Sequence, residues 1–133
     1  MTLMEECSKK ILLPSFGALT KNQIWRKDNK SLVTQADLDS EKFLIRRLTE
    51  ILPGSLTIGE EEAEGNPGIL DHFQRENAVW VIDPLDGTKE FINRNGEFTV
   101  NIALVRDGCP VLGVVYIPVQ DVMYAGTQVE TPK

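Results

Sequence analysis

Trp80-Val81-Ile82-Asp83-Pro84-Leu85-Asp86-Gly87-Thr88 is the stretch at which the chain changes character. Val79 to Ile82 is a continuous apolar run and reads as a buried strand. Asp83-Pro84 reads as its end, because proline cannot donate to a ladder. Beyond it the apolar residues alternate, with Phe98, Val100, Ile102 and Leu104 on one face of a second strand. Asp107-Gly108 supplies a hairpin turn, Val111 to Ile117 returns, and Val122 to Ala125 forms one more strand after Pro118 to Asp121.

Upstream of that stretch the period is helical. Apolar residues at 3, 4, 7, 11 and 12 predict a helix from Leu3 to Leu13, kinked or ended by Pro14, with Gly17 as its C-cap. Asn22 to Lys30 is polar, and Lys27-Asp28-Asn29-Lys30 reads as a turn. Thr34-Gln35-Ala36-Asp37 is a start signal for the most secure helix, continued by Leu44, Leu48, Ile51 and Leu52 and stopped by Pro53-Gly54. Leu56-Thr57-Ile58 predicts a short strand leading into the acidic Glu60 to Glu64. Ile69, Leu70 and Phe73 could line one face of a short helix. Helices first and a meander afterwards predict an α+β domain, with helices packed on a mainly antiparallel sheet. There is no internal repeat, low-complexity tract or linker between two cores.

The 133 residues fit one domain, and 41% hydrophobic with 26% charged residues is an ordinary globular balance. Fourteen Lys and Arg against 20 Asp and Glu leave a net charge of −6. That argues against a nucleic-acid polymer as partner, which needs a basic footprint, and suits a protein that gathers divalent cations. No apolar run approaches the roughly 18 residues of a membrane span. Cys7 and Cys109 form no Cys-x-x-Cys motif and no disulfide framework. Both read as small buried or half-buried thiols in a reducing cytoplasm.

Asp83 and Asp86, with the Leu85 carbonyl between them, are hard oxygen donors of the kind Mg²⁺ or Mn²⁺ takes. Gly87 permits the sharp turn after Asp86, and a helix starting near Lys89 would present the amides of Gly87, Thr88 and Lys89 to an anion. Metal ligands followed directly by an anion hole point to phosphoryl transfer to water. The same residues also read as a turn alone, with Asp83 as a cap and Asp86-Gly87 as turn chemistry. Spacing does not choose between the two. Alone, Asp37 is an N3 acid on its own helix dipole. Glu60 to Glu64 reads as a solvated loop, His72 as a surface residue, and both tryptophans as core.

Val33-Thr34-Gln35-Ala36-Asp37, Gly59-Glu60-Glu61 and Trp80 to Thr88 occur in that order, and the set resembles the inositol monophosphatase-like superfamily of Mg²⁺-dependent, typically lithium-sensitive phosphatases. The resemblance runs from about Ile11 to Ala125. Gly87-Thr88-Lys89-Glu90-Phe91-Ile92, Asn95 to Leu104 and Val114 to Val119 look like the bacterial 3′(2′),5′-bisphosphate nucleotidase (CysQ-type) branch. Those enzymes convert 3′-phosphoadenosine 5′-phosphate to AMP and phosphate, which would place the chain in sulfur metabolism. Gly59-Glu60-Glu61 departs from the Ser-Glu-Glu common in that branch.

The resemblance implies Glu60, Asp83, Asp86 and the Leu85 carbonyl as metal ligands for two or more Mg²⁺ ions. It implies the Asp37–Thr88 pair as the group that orients and deprotonates the attacking water, and the Gly87 and Thr88 amides as phosphate binders. The substrate would be a small phosphorylated metabolite, with inositol or histidinol phosphate as alternatives. Superfamily members are longer, with a second α/β domain that carries a further metal-binding Asp. By that implication residues 1–133 are the amino-terminal half of an α-β-α-β-α sandwich, with the carboxy-terminal domain absent. The alternative of another class is a truncated, non-catalytic remnant that binds metal or self-associates through an exposed sheet.

Overall fold

The computed structural model describes residues 2–26, 32–59 and 78–128. The first helical run has three parts: α1 (Leu3–Cys7), a π-helical segment (Ser8–Leu12) and α2 (Leu13–Ser15). Thr2 caps it, its hydroxyl accepting from the Glu5 amide. Pro14 is the second residue of α2, near the end of this continuous run, and the run stops at Ser15. Gly17 then adopts φ 78°, the left-handed conformation that follows a helix end.

The polar stretch that begins at Asn22 also holds a strand for which no element is expected from the sequence. A 3₁₀ turn (Lys21–Gln23) leads into β1 (Ile24–Arg26), which pairs antiparallel with β2 (Leu32–Thr34). Three-residue strands are too short for a period to show, and Lys27 to Lys30 lie outside the described residues. Trp25, at the middle of β1, is exposed rather than core.

Next comes α3 (Gln35–Ile51), the long helix that the sequence predicts. It packs against α1 and the π-helical segment through side chains small enough for a close approach: Cys7, Ser8, Ala36 and Ser40 are all buried. Together these helices cover one face of a sheet made of β3 (Leu56–Gly59), β4 (Ala78–Asp86), β5 (Thr99–Arg106), β6 (Cys109–Ile117) and β7 (Val122–Thr127). Strand order among the described residues is sequential, with β3 parallel to β4 and the other pairs antiparallel. Trp80, Ile82, Val100, Ile102, Leu104 and Tyr116 form the buried face under the helices. Asp107 and Gly108, both at positive φ, make the turn between β5 and β6. The helix expected around Ile69 to Phe73 and the acidic run at Glu60 to Glu64 lie outside the described residues, as does His72.

β4 does not end at Asp83-Pro84. It runs on to Asp86, because Pro84 falls within an irregularity of the ladder where no amide is required of it. Asp83 pairs with Asn101 and Asp86 with Thr99, so β4 spends one more residue than β5 over this interval. Leu85, inside the irregularity, buries its side chain in the core.

Among the described residues one helix remains, α4 (Thr88–Ile92), capped at its start by Gly87 in the left-handed conformation (φ 93°). A side chain at Gly87 would be strained there and would also lie 3.0 Å from the Glu97 carbonyl. Phe91 anchors α4 by packing edge-on to Phe98 at 4.9 Å, and Phe16 closes the cluster. Full burial of an aromatic side chain contributes about 1.5–3 kcal/mol. The turn that carries Asp86 and Gly87 is therefore bolted to the core from below. Cys7 is buried as expected, but Cys109, at the hairpin start of β6, is exposed.

Candidate active site

Thr34 and Asp37 close the start of α3 on each other. The Asp37 amide donates to Thr34 Oγ1 at 3.3 Å. In return the Thr34 amide and hydroxyl donate to Asp37 Oδ2 at 2.8 and 2.6 Å. This reciprocal capping holds a buried carboxylate in one orientation. Its other oxygen, Oδ1, accepts from the Thr88 hydroxyl at 3.1 Å. Thr88 is the first residue of α4, and its hydroxyl also lies 3.4 Å from the Leu85 carbonyl. Two distant segments, the start of α3 and the end of β4, thus meet at one hydroxyl.

The irregularity in β4 decides where the other acids go. In a regular strand, residues three apart point to opposite faces. The extra residue between Asp83 and Asp86 resets the pleat, so both carboxylates leave the sheet on one side, beside Asn101 and Thr99. Asp86 is exposed and accepts from Asn101 Nδ2 at 3.1 Å, while Asn101 Oδ1 accepts from the Thr99 hydroxyl at 3.0 Å. Thr99 and Asn101 lie within the Asn95 to Leu104 stretch of the resemblance, which implies no role for either. The available signal is an amide at the centre of an otherwise apolar alternating strand.

Glu41 is a second residue that the motifs do not single out. It stands one helical turn after Asp37 on α3, and its carboxylate rests on Gly59, the last residue of β3. A Cβ on Gly59 would lie 1.5 Å from Glu41 Oε1. The glycine is there for that close approach, immediately before Glu60.

Asp83, Asp86 and the Leu85 carbonyl are hard oxygen donors and fit Mg²⁺ or Mn²⁺ in kind. Among the described residues no three Asp, Glu, His or Cys side chains converge as a ready cation site. Glu60, which the sequence reading adds to the set, lies outside the described residues. Beyond the Asp86–Gly87 turn, the first helical bond of α4 runs from the Phe91 amide to the Gly87 carbonyl. The amides of Gly87, Thr88 and Lys89 precede it at the helix start.

The pattern of the inositol monophosphatase family matches residues 3–131. The chain belongs to that family. Curated relatives named 3′(2′),5′-bisphosphate nucleotidase CysQ share 47% identity over 102 residues in Escherichia coli K12 and 50% over 99 residues in Salmonella typhimurium. These matches take in 77% and 74% of this chain but only 40% and 39% of the relatives, so the chain spans about two fifths of their length. A solved CysQ of Bacteroides thetaiotaomicron, described as a bacterial member of the inositol monophosphatase family, superposes with a TM-score of 0.68 at 36% identity. It covers 95% of this chain and 43% of that one. An IMPase of Thermotoga maritima gives a TM-score of 0.80 at 22% identity over 95% of this chain and 45% of its own, a likeness of fold. The inositol monophosphatase fold is thus the one that helices on a mixed, mainly antiparallel sheet form here.

Proposed function

We propose that residues 1–133 carry the metal- and phosphate-binding portion of a phosphatase that hydrolyses 3′-phosphoadenosine 5′-phosphate to AMP and phosphate. The observation that carries this reading is the Thr88–Asp37 hydrogen bond beside the shared face of Asp83 and Asp86. Support for the nucleotide substrate comes from the names of the relatives that are nearly half identical over this region.

Asp83, Asp86 and the Leu85 carbonyl would hold divalent cations, with Glu60 adding a carboxylate. A bound Mg²⁺ lowers the pKa of water and neutralises charge on the phosphoryl group. The protein's own part lies in proton handling and orientation. Thr88 Oγ1 directs its proton at Asp37, which leaves its lone pairs to accept a hydrogen bond from the attacking water. As that water adds to phosphorus, its proton passes to Thr88 Oγ1 and the Thr88 proton passes to Asp37 Oδ1. The leaving group departs from the opposite side of the phosphoryl group. The Gly87 and Thr88 amides would orient the phosphate oxygens. No helix of the described residues is long and apolar enough to cross a membrane. A cytoplasmic location agrees with the two thiols being free.

Phosphate release from 3′-phosphoadenosine 5′-phosphate, inositol phosphate and histidinol phosphate by the purified chain, with and without Mg²⁺, tests this. Magnesium-dependent release from the nucleotide, abolished by Asp86→Asn, is the expected result. Faster release from either of the other two phosphates would overturn the substrate. No release from any of them, beside an active full-length relative, would favour a non-catalytic, metal-binding or self-associating chain.

A further inference from the structure

Asn101 is out of keeping with its strand. Its neighbours in β5 are Val100, Ile102, Ala103 and Leu104, and asparagine is depleted in strands because its amide gains little on a packed, pleated surface. Its two polar ends are nonetheless both engaged. Oδ1 accepts from the Thr99 hydroxyl at 3.0 Å, and Nδ2 donates to Asp86 Oδ2 at 3.1 Å. Since a carboxylate can only accept, the end facing Asp86 must be the NH₂, and the Thr99 hydroxyl donates to the carbonyl oxygen that this leaves on the other end. Asn101 also stands directly opposite Asp83 in the ladder. An amide therefore sits between the two carboxylates of this face, bonded to one and beside the other.

Asp86 would otherwise have considerable freedom. It is exposed, it is the last residue of β4, and the chain leaves the strand through Gly87 at positive φ. We infer that Asn101, oriented by Thr99, is a positioning residue that fixes the Asp86 carboxylate for a divalent cation. One oxygen, Oδ2, is tied to the strand, and Oδ1 is left to turn toward the metal. Asparagine suits this better than aspartate would, since it matches the shape while donating a hydrogen and adding no third negative charge to the face. The inference rests on the metal-binding reading of Asp83 and Asp86 given above.

Groups that orient a metal ligand typically change affinity by about 10–100-fold when removed. The test is a Mn²⁺ titration of the purified chain, followed by the electron paramagnetic resonance signal of free Mn²⁺, with thermal melting in metal-free buffer alongside. Asn101→Ala is expected to weaken Mn²⁺ binding by about 10–100-fold. Thr99→Val, which keeps the β-branched shape, should weaken it less, and Thr99→Ser, which keeps the hydroxyl, should restore it. Melting of the metal-free variants should stay close to that of the unaltered chain. Unchanged Mn²⁺ affinity in a folded Asn101→Ala or Thr99→Val chain would overturn the inference and leave the metal reading standing. A lowered melting temperature with intact affinity would make the pair merely structural. If the unaltered chain takes up no Mn²⁺, the metal reading and this inference fall together.

Discussion

Thr88 Oγ1 lies 3.1 Å from Asp37 Oδ1, although 51 positions separate the two residues. The bond ties the start of α3 to the start of α4 at a buried carboxylate whose second oxygen already serves Thr34. Thr88→Val removes one hydrogen bond to a charged acceptor and is expected to cost about 1.5–3 kcal/mol of stability. Asp37→Ala should cost more, since it strands the buried Thr34 amide and hydroxyl as well. Urea denaturation of both single variants and the double variant checks this. The two effects should fall short of additive by at least ~0.5 kcal/mol, and plain additivity would mean the pair is not coupled.

Gly59 and Glu41 define a second contact with a definite sign. Gly59→Ala drives a methyl group into the space of the Glu41 carboxylate, which must move or push β3 away from α3. The carboxylate is the far end of a flexible side chain, so a loss of about 1 kcal/mol, the low end for overpacked sites, is expected. Glu41→Ala in the same chain clears the space and should recover most of that loss. Melting temperatures of the three variants decide it; a Gly59→Ala chain as stable as the original would show that the carboxylate has room elsewhere.

Much of this arrangement was legible in the sequence, and what was not has physical causes. The start of α3 was readable because capping is a local affair between Thr34 and Asp37. The burial of Phe98, Val100, Ile102 and Leu104 followed from a period of two. Pro84 misled, because a proline ends a strand only where its missing amide would have been used, and ladder irregularities do not show in a single strand. β1 and β2 leave no signal in the sequence, because three residues carry no period and the two strands are held by pairing with each other. Asp83 and Asp86 were recognisable as a pair of acids. That they share a face depends on the count of residues in β5, a long-range fact. Glu41 lies outside the motifs and Asn101 has no implied role within its own, so only their partners, Gly59 and Asp86, reveal them.

The two thiols should differ sharply in reactivity. Cys7 is fully buried between the helices, and burial pushes its pKa up to about 11, with the Ser40 hydroxyl offsetting part of the rise. Only the thiolate attacks a disulfide reagent. Cys109 is exposed at the edge of the β5–β6 turn. At pH 8 a coloured aromatic disulfide should therefore modify one thiol of the native chain quickly. The second should react only on unfolding, and Cys109→Ser should abolish the fast phase. Two fast thiols in the native chain would contradict the packing of Cys7 against α3.

Tyr116 gives the fold an alkaline limit. Its ring is buried in β6, and its hydroxyl donates to Asp121 Oδ1 at 2.6 Å across the turn into β7. Burial first, and then the hydrogen bond and the charge of Asp121, raise its pKa from 10.0 to about 12. The raised value belongs to the folded state, so the protonated phenol contributes its full stability below pH 10. That contribution is lost as the pH climbs from 10 toward 12. Cys7 adds an earlier decline, from pH 9.0 to about 11, by the same sign. The informative comparison is therefore between the unaltered chain and Tyr116→Phe, which share Cys7. Below pH 10 the phenylalanine variant should be less stable by about 1.5–3 kcal/mol, the worth of one hydrogen bond to a charged acceptor. Above pH 11 the gap should close, because the phenol must ionise against Asp121 while phenylalanine has nothing to lose. Urea midpoints for both chains at pH 8, 10 and 11.5 measure this, and a gap that stays constant would separate Tyr116 from the alkaline transition.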